Sequence, residues 1–385
     1  MTLLTTLRLA GFRAYDALDA AFGPGPHLVW GQNAAGKTSL LEAIVLLSRG
    51  SSHRTGADAE MIRWAAPFAR VDGRRGGAGG AAEVDVTLMR DGPSGGRKRI
   101  RVNGVPRRGT GLVGVLRTVV FAPEEMLLVV GAPGLRRTAL DALAAQRFPA
   151  YAADLSAYGR VLTQRNHLLR AIREEQASRD QLPFWDAKLL ESGTAVLAAR
   201  HALLGELATP LAAAHAEIAP DEGRLELSYV TNAPELAGET PGMALARRLR
   251  ETADKELWNG TTLVGPHRDD LAFALDGREL SSFASRGQQR TAILALKLAE
   301  LDLLTALDGT PPLLLLDDVF SELDPTRRAH LVRRIAALPQ AFVTTTTLDD
   351  LDQGLREVGT AWRVDGAPSA PGTAGPGARL VEASA

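Results

Sequence analysis

The 385-residue sequence predicts an α/β fold interrupted by a helical insertion, and three observations carry that prediction. A short apolar run, His27-Leu28-Val29-Trp30, leads through Gly31-Gln32-Asn33-Ala34-Ala35-Gly36-Lys37-Thr38 into apolar residues at helical spacing as far as Leu47. Far downstream, Leu313-Leu314-Leu315-Leu316 reads as a strand buried on both faces and ends in Asp317-Asp318. Between them lies a long stretch of helical pattern. A core strand at each end and helices in the middle imply one α/β domain split by an insertion.

The first strand–loop–helix has the residues a triphosphate requires, at the spacing it requires. Gly31 and Gly36 let backbone N–H groups wrap phosphates, and the stretch Gln32, Asn33, Ala34 and Ala35 supplies them. Lys37 reaches the terminal phosphates, and Thr38 offers a hydroxyl to magnesium, with Ser39 beside it in the first helical turn. The helix N-terminus adds partial positive charge. The acidic pair completes the set, because a carboxylate at the end of a core strand next to such a loop holds magnesium and a second one orients water. Asp317 is the expected metal residue; Asp318 and Lys37 are the expected catalytic ones.

Composition narrows the class further. The chain lacks cysteine, which excludes disulfides and thiolate metal sites, and its seven histidines show no ligand spacing. No apolar run reaches the length of a membrane span and no secretory pattern opens the chain, so a cytoplasmic protein without a membrane partner is expected. The net charge of −1 conceals an asymmetry: residues 1–150 carry 20 Lys+Arg against 12 Asp+Glu. Much of that excess lies in Arg74, Arg75, Arg97, Lys98, Arg99, Arg101, Arg107 and Arg108, around the alternating segments Glu83–Leu88 and Ile100–Val102, which predict an antiparallel hairpin with arginines at its end. Such a hairpin is either a solvated surface or a contact for phosphates read without sequence.

The expected organisation is a head part over 1–138, a helical arm over 139–258, a second head part over 259–365 and a disordered tail over 366–385. Helices are expected over about 139–179, 184–218 and 241–258, with a break at Pro183 and a kink at Pro210. A further strand is expected at Gln340–Thr346. The tail is rich in Gly, Ala and Pro, with only Leu380-Val381 apolar.

Two remaining segments select a family. Ser285-Arg286-Gly287-Gln288-Gln289 opens an apolar-striped helix and resembles the ABC signature, while Ser321-Glu322-Leu323-Asp324 after the acidic pair resembles a D-loop, read here on Ser321 and Asp324. With Gly11-Phe12-Arg13, Ser52-His53-Arg54, Gln164-Arg165-Asn166 and Gly265-Pro266-His267-Arg268-Asp269-Asp270, the whole chain resembles the RecF family, related to Rad50 and SMC proteins. Gln32 and Ala34 depart from the proline and glycine frequent in that family's loop, no Q-loop glutamine precedes Pro123, and no switch histidine follows Thr346.

The resemblance implies an ABC-type P-loop ATPase head with an antiparallel β subdomain and an inserted α-helical arm. It implies ATP and Mg2+ as cofactors and weak, DNA-dependent hydrolysis used as a switch. The implied partners are double-stranded DNA and single-strand/double-strand junctions, a second copy in an ATP-dependent homodimer, RecR together with RecO, and indirectly RecA. In that scheme Ser285 meets the nucleotide held by another copy. An ABC transporter ATPase subunit and a short-armed SMC- or Rad50-like tether are the other readings of the same motifs.

Overall fold

The computed structural model describes residues 2–77, 80–90, 97–366 and 377–383. The chain divides into two compact units, residues 1–126 with 294–385, and residues 127–293. The second unit is wider than the expected arm over 139–258.

The first unit opens with β1 (Thr2–Phe12), β2 (Tyr15–Ala21), β3 (Gly25–Trp30), α1 (Lys37–Arg49), β4 (Phe68–Gly77), β5 (Ala82–Met89), β6 (Arg97–Val102), β7 (Val105–Arg107) and β8 (Thr118–Phe121). Six of these strands form an antiparallel sheet in the order β2-β1-β4-β5-β6-β7. Its alternation is legible residue by residue. Leu7 and Leu9 on β1, Val71 on β4, Val84 and Val86 on β5 and Ile100 on β6 are buried, and the residues between them face the other way. The β5–β6 pairing, Val86 opposite Ile100, realises the expected hairpin, whose turn residues 91–96 lie outside the described residues.

The second unit contains α2 (Leu127–Val130), α3 (Pro133–Arg147), α4 (Tyr151–Arg173), α5 (Leu182–Ile218), β9 (Leu225–Val230), α6 (Pro241–Glu251), α7 (Ala253–Asn259), β10 (Asp270–Leu275), β11 (Arg278–Glu279), α8 (Leu280–Phe283) and the start of α9 (Arg286–Asp308). The helix expected over 139–179 is in fact two, because Pro149 cannot donate to the preceding turn and disfavours helical backbone before it. Pro183 stands in the first turn of α5 and starts that helix, and Pro210 sits inside it. The three-stranded sheet β11-β10-β9 was not expected. Its strands are short and half-exposed, so the hydrophobic period of two is weak there.

The family-like segments of this unit form its polar interior. Arg165 and Glu256, both buried, pair at 2.7 Å, and Arg165 also donates to Thr262 and Asp186. Arg200 donates to Asp141, Tyr229 and the Pro266 carbonyl, while Asp269 accepts from Tyr229 and Thr231. A buried charge missing its partner costs several kcal/mol, on the order of 3–5. These residues are therefore tied to one another.

The chain then returns to the first unit through β12 (Leu313–Asp317), α10 (Pro325–Ala336), β13 (Gln340–Thr345), α11 (Gln353–Val358), β14 (Thr360–Asp365) and β15 (Arg379–Ala383). A second sheet runs in the order β15-β14-β3-β13-β12-β8, parallel except for β15. All five residues of β12 are buried, as an apolar run in a covered parallel sheet requires. The expectation of a disordered tail over 366–385 is corrected for Arg379–Ala383. That segment pairs with β14, Leu380 opposite Val364, giving the edge of β14 a hydrogen-bonding partner. The tail residues 367–376 and 384–385 lie outside the described residues.

Candidate nucleotide-binding site

β3 and β12 deliver their C-terminal ends to the same side of the parallel sheet, separated by β13. The loop after β3 and the acidic pair after β12 thereby meet. Gly31 has φ +156°, and a Cβ there would lie 2.5 Å from the Val364 carbonyl oxygen, so no side chain fits. Ala34 has φ +64°, a left-handed conformation that costs a non-glycine residue about 1–2 kcal/mol. This is the position where the family often carries glycine. Gly36 (φ +120°) then turns the chain into α1, and its carbonyl accepts from the Tyr15 hydroxyl at 3.2 Å.

A cavity of about 350 Å³ opens on this loop. Asn33, Ala34, Gly36, Lys37, Thr38 and Ser39 line one side, and Asp317 and Asp318 another. Gly31, Gln32 and Ala35 do not line it; Ala35 is buried in the core. Lys37 folds back so that Nζ donates to the carbonyls of Gly31 (2.6 Å) and Gln32 (3.0 Å). Burial holds its ammonium below the ordinary lysine value, opposed by the charges of Asp318 and Asp317.

Asp317 Oδ1 accepts from the Thr38 hydroxyl at 3.1 Å and from the Thr344 hydroxyl at 2.6 Å. Thr344 Oγ1 also accepts from the Asp318 N–H at 3.0 Å, so one β13 hydroxyl fixes both carboxylate-bearing residues. Asp318 itself has φ +51°, a left-handed conformation that aspartate tolerates better than most residues. The Ser321 hydroxyl donates to its carbonyl at 2.9 Å. Asp324, by contrast, caps α10, accepting from the N–H groups of Thr326 and Arg327.

Magnesium fits this donor set. Thr38 Oγ1 and Asp317 Oδ1 are hard oxygens within 3.1 Å of each other on the cavity, and magnesium takes one or two protein oxygens with phosphates and water.

Three lining residues were not assigned a role from sequence. Pro123 and Glu124 follow β8 into the cavity wall, and Arg54 brings a second cation to that wall besides Lys37. Arg54 is steadied by Glu42 at 3.5 Å and, more weakly, by half-exposed Glu124 at 3.9 Å. Burial pushes the Glu42 carboxyl up, but hydrogen bonds from Arg13 and Ser52 outweigh it and hold it net below the usual range. The signal for Arg54 was present in Ser52-His53-Arg54, whose type and position were noted without a role. Burial and the neighbouring Arg49 push His53 down to about 4, so its imidazole is neutral at pH 7.

The signature residues open α9 in the second unit. Ser285 Oγ accepts from the Gln288 N–H at 3.2 Å and Gln288 Oε1 accepts from the Ser285 N–H at 3.0 Å, a reciprocal capping box. Gln289 donates to the Ala284 carbonyl. Ser285, Arg286 and Gly287 are exposed. With its acceptor lone pair used in the cap, the Ser285 hydroxyl keeps its proton for an outside acceptor.

A P-loop and an acidic strand end on two strands of one parallel sheet, one strand apart, together with an antiparallel sheet, define the class: an ABC-type ATPase head. The sequence agrees, since residues 3–366 match the RecF/RecN/SMC N-terminal domain family. The DNA replication and repair protein RecF of Bacillus subtilis is 38% identical over 362 residues, covering 92% of this chain and 96% of its own. That of Herpetosiphon aurantiacus is 40% identical over 380 residues, covering 94% and 98%. A solved structure of the recombination mediator protein RecF with ATP, of the RecFOR pathway, superposes with a TM-score of 0.85 at 31% identity, covering 94% of this chain and 95% of that one. The Smc head of Pyrococcus furiosus shares the fold, with a TM-score of 0.54 at 14% identity and coverage of 100% and 96%. The chain belongs to the RecF family.

Proposed function

We propose that this protein is an ATP-switched DNA-binding protein of recombinational repair, dimerising on ATP at gaps and single-strand/double-strand junctions and helping RecO and RecR load RecA. The observation that carries the reading is the Thr38–Asp317–Thr344–Asp318 arrangement over the phosphate loop, in a chain of this family. The loop N–H groups and Lys37 bind the triphosphate, with Lys37 exchanging its loop carbonyls for phosphate oxygens. Magnesium, when bound, neutralises phosphate charge, and Thr38 and Asp317 are the residues that hold it. Asp318 orients the attacking water and accepts its hydrogen bond. Arg54 adds positive charge near the phosphates.

Output comes from pairing two copies. Ser285, Gly287 and the N-terminus of α9 from one copy meet the terminal phosphate held by the other, with Arg286, Gln288 and Gln289 around them and the Ser321–Asp324 loop at the seam. One charge-assisted hydrogen bond per site contributes about 1.5–3 kcal/mol, hence roughly 3–6 for two sites. That corresponds to about two to four decades in dimer affinity. Losing the terminal phosphate removes those bonds, so slow hydrolysis times the dimer on DNA. No switch histidine is required in this scheme, since Thr344 already touches both Asp317 and Asp318.

The test compares ATP-dependent binding to duplex, single-stranded and gapped DNA, with and without Lys37→Met. Binding to duplex and gapped DNA that needs ATP and is lost in Lys37→Met supports the reading. Equal binding without ATP would refute the switch.

A further inference from the structure

Three arginines on one edge of the antiparallel sheet take no part in the nucleotide site. Arg97, Arg99 and Arg101 occupy every second position of β6 and share one face, while Lys98 and Ile100 face the other. Ile100 is buried in the core, and Lys98 donates to the Gly50 carbonyl and the Asp58 carboxylate. All three arginines are exposed, and among the described residues none has a side-chain hydrogen bond or ion pair. Their cross-strand neighbours are Met89, Thr87 and Asp85. The one carboxylate there, Asp85, is already taken by Arg70 at 2.5 Å. The short strand β7 pairs only with Ile100–Val102, which leaves the outer backbone edge beside Arg97 and Arg99 uncovered among the described residues.

We propose that this arginine ladder grips the phosphate backbone of duplex DNA; the inference rests on the DNA-binding reading above and names the surface that performs it. Residues two apart on an antiparallel strand repeat at about 6.8 Å, so the three guanidinium groups span about 14 Å. Each strand of duplex DNA climbs about 3.4 Å of axis per phosphate while winding around it, which sets neighbouring phosphates about 7 Å apart through space, so the ladder's spacing matches successive phosphates of one strand. Guanidinium forks suit phosphate oxygens, and contacts of this kind carry no base sequence. An acidic protein partner is the less favoured occupant. A protein interface wants an apolar centre, and the face between these arginines offers Thr87 and an already paired Asp85, with Met89 and half-exposed Phe68 only at the Arg97 end. A regular row of like charges matches a regular polyanion instead.

The test is fluorescence anisotropy with a duplex of random sequence, with ATP and magnesium present, between 50 and 200 mM salt. The parent is compared with a triple variant, Arg97→Gln, Arg99→Gln and Arg101→Gln, and with the triple lysine variant at the same positions. Three phosphate contacts predict that the slope of log affinity against log salt falls by about 2.7 in the glutamine variant. The parent's advantage should then shrink about 40-fold across that salt range. The lysine variant should keep the parent's slope, and ATP binding should be equal in all three, which also shows that each is folded. Should the glutamine triple fail to fold, Arg99→Gln alone is expected to lower the slope by about 0.9. A parent that ignores duplex DNA overturns the function proposed above. A parent that binds duplex, with a glutamine variant of unchanged slope, overturns the ladder alone.

Discussion

At the residue scale the site is a set of hydroxyls and carboxylates held by one another. Thr344 is the clearest case, because its single Oγ1 donates to Asp317 and accepts from the Asp318 N–H. Thr344→Val should leave β13 buried and folded while freeing both acids; we expect weakened magnesium-dependent ATP binding and at least a tenfold loss of turnover, read by a coupled ATPase assay. Asp318→Asn should keep ATP binding and slow hydrolysis by two to four decades, the range over which positioned acid–base groups act; turnover at the parent rate would remove Asp318 from catalysis. The loop itself was readable from sequence because phosphate chemistry demands those types at those spacings. Arg54 was not assigned, since nothing local says that a residue 17 positions past Lys37 returns to the same cavity. That return is made by Glu42, a buried acid on α1 which holds Arg13 and Arg54 together.

At the scale of elements, legibility follows burial and period. β12 and α9 announce themselves by continuous apolar or helical patterns, whereas β9 and β10 are short and half-exposed and left no clear signal. The helix break at Pro149 and the strand β15 show the opposite errors, a stop overlooked and order unforeseen. β15 depends on β14, a partner that composition cannot reveal. Element-scale chemistry also gives a pH prediction. Burial, first of all, pushes His267 down to about 4, while its Nδ1 accepts from the Tyr158 hydroxyl at 2.6 Å and its Nε2 lies 3.3 Å from the Thr262 carbonyl. A histidine depressed in the folded state supplies stability that is full above about pH 6.5 and drains as pH falls toward 4, worth roughly 3 kcal/mol at most. Thermal melts between pH 7 and 4 should therefore fall less steeply for His267→Gln than for the parent; parallel pH profiles would contradict the assignment. For α9, Gln288→Ala opens the capping box and should cost about 1 kcal/mol of helix stability.

At the scale of the whole molecule, one chain supplies the phosphate loop and acidic pair from its first unit and the signature from its second. The motif order was legible in the sequence, and so was the family. The expected insertion over 139–258 falls inside the second unit, 127–293, whose wider bounds depend on which contacts close rather than on composition. Each chain thus carries one of each half-site, and the central claim is that ATP joins unlike halves of two copies. Light scattering coupled to gel filtration tests it most directly. With ATP and magnesium, Asp318→Asn should elute at twice the monomer mass, while Lys37→Met and Ser285→Arg remain monomeric under the same conditions. A Ser285→Arg protein that doubles its mass with ATP as fully as Asp318→Asn would contradict the account.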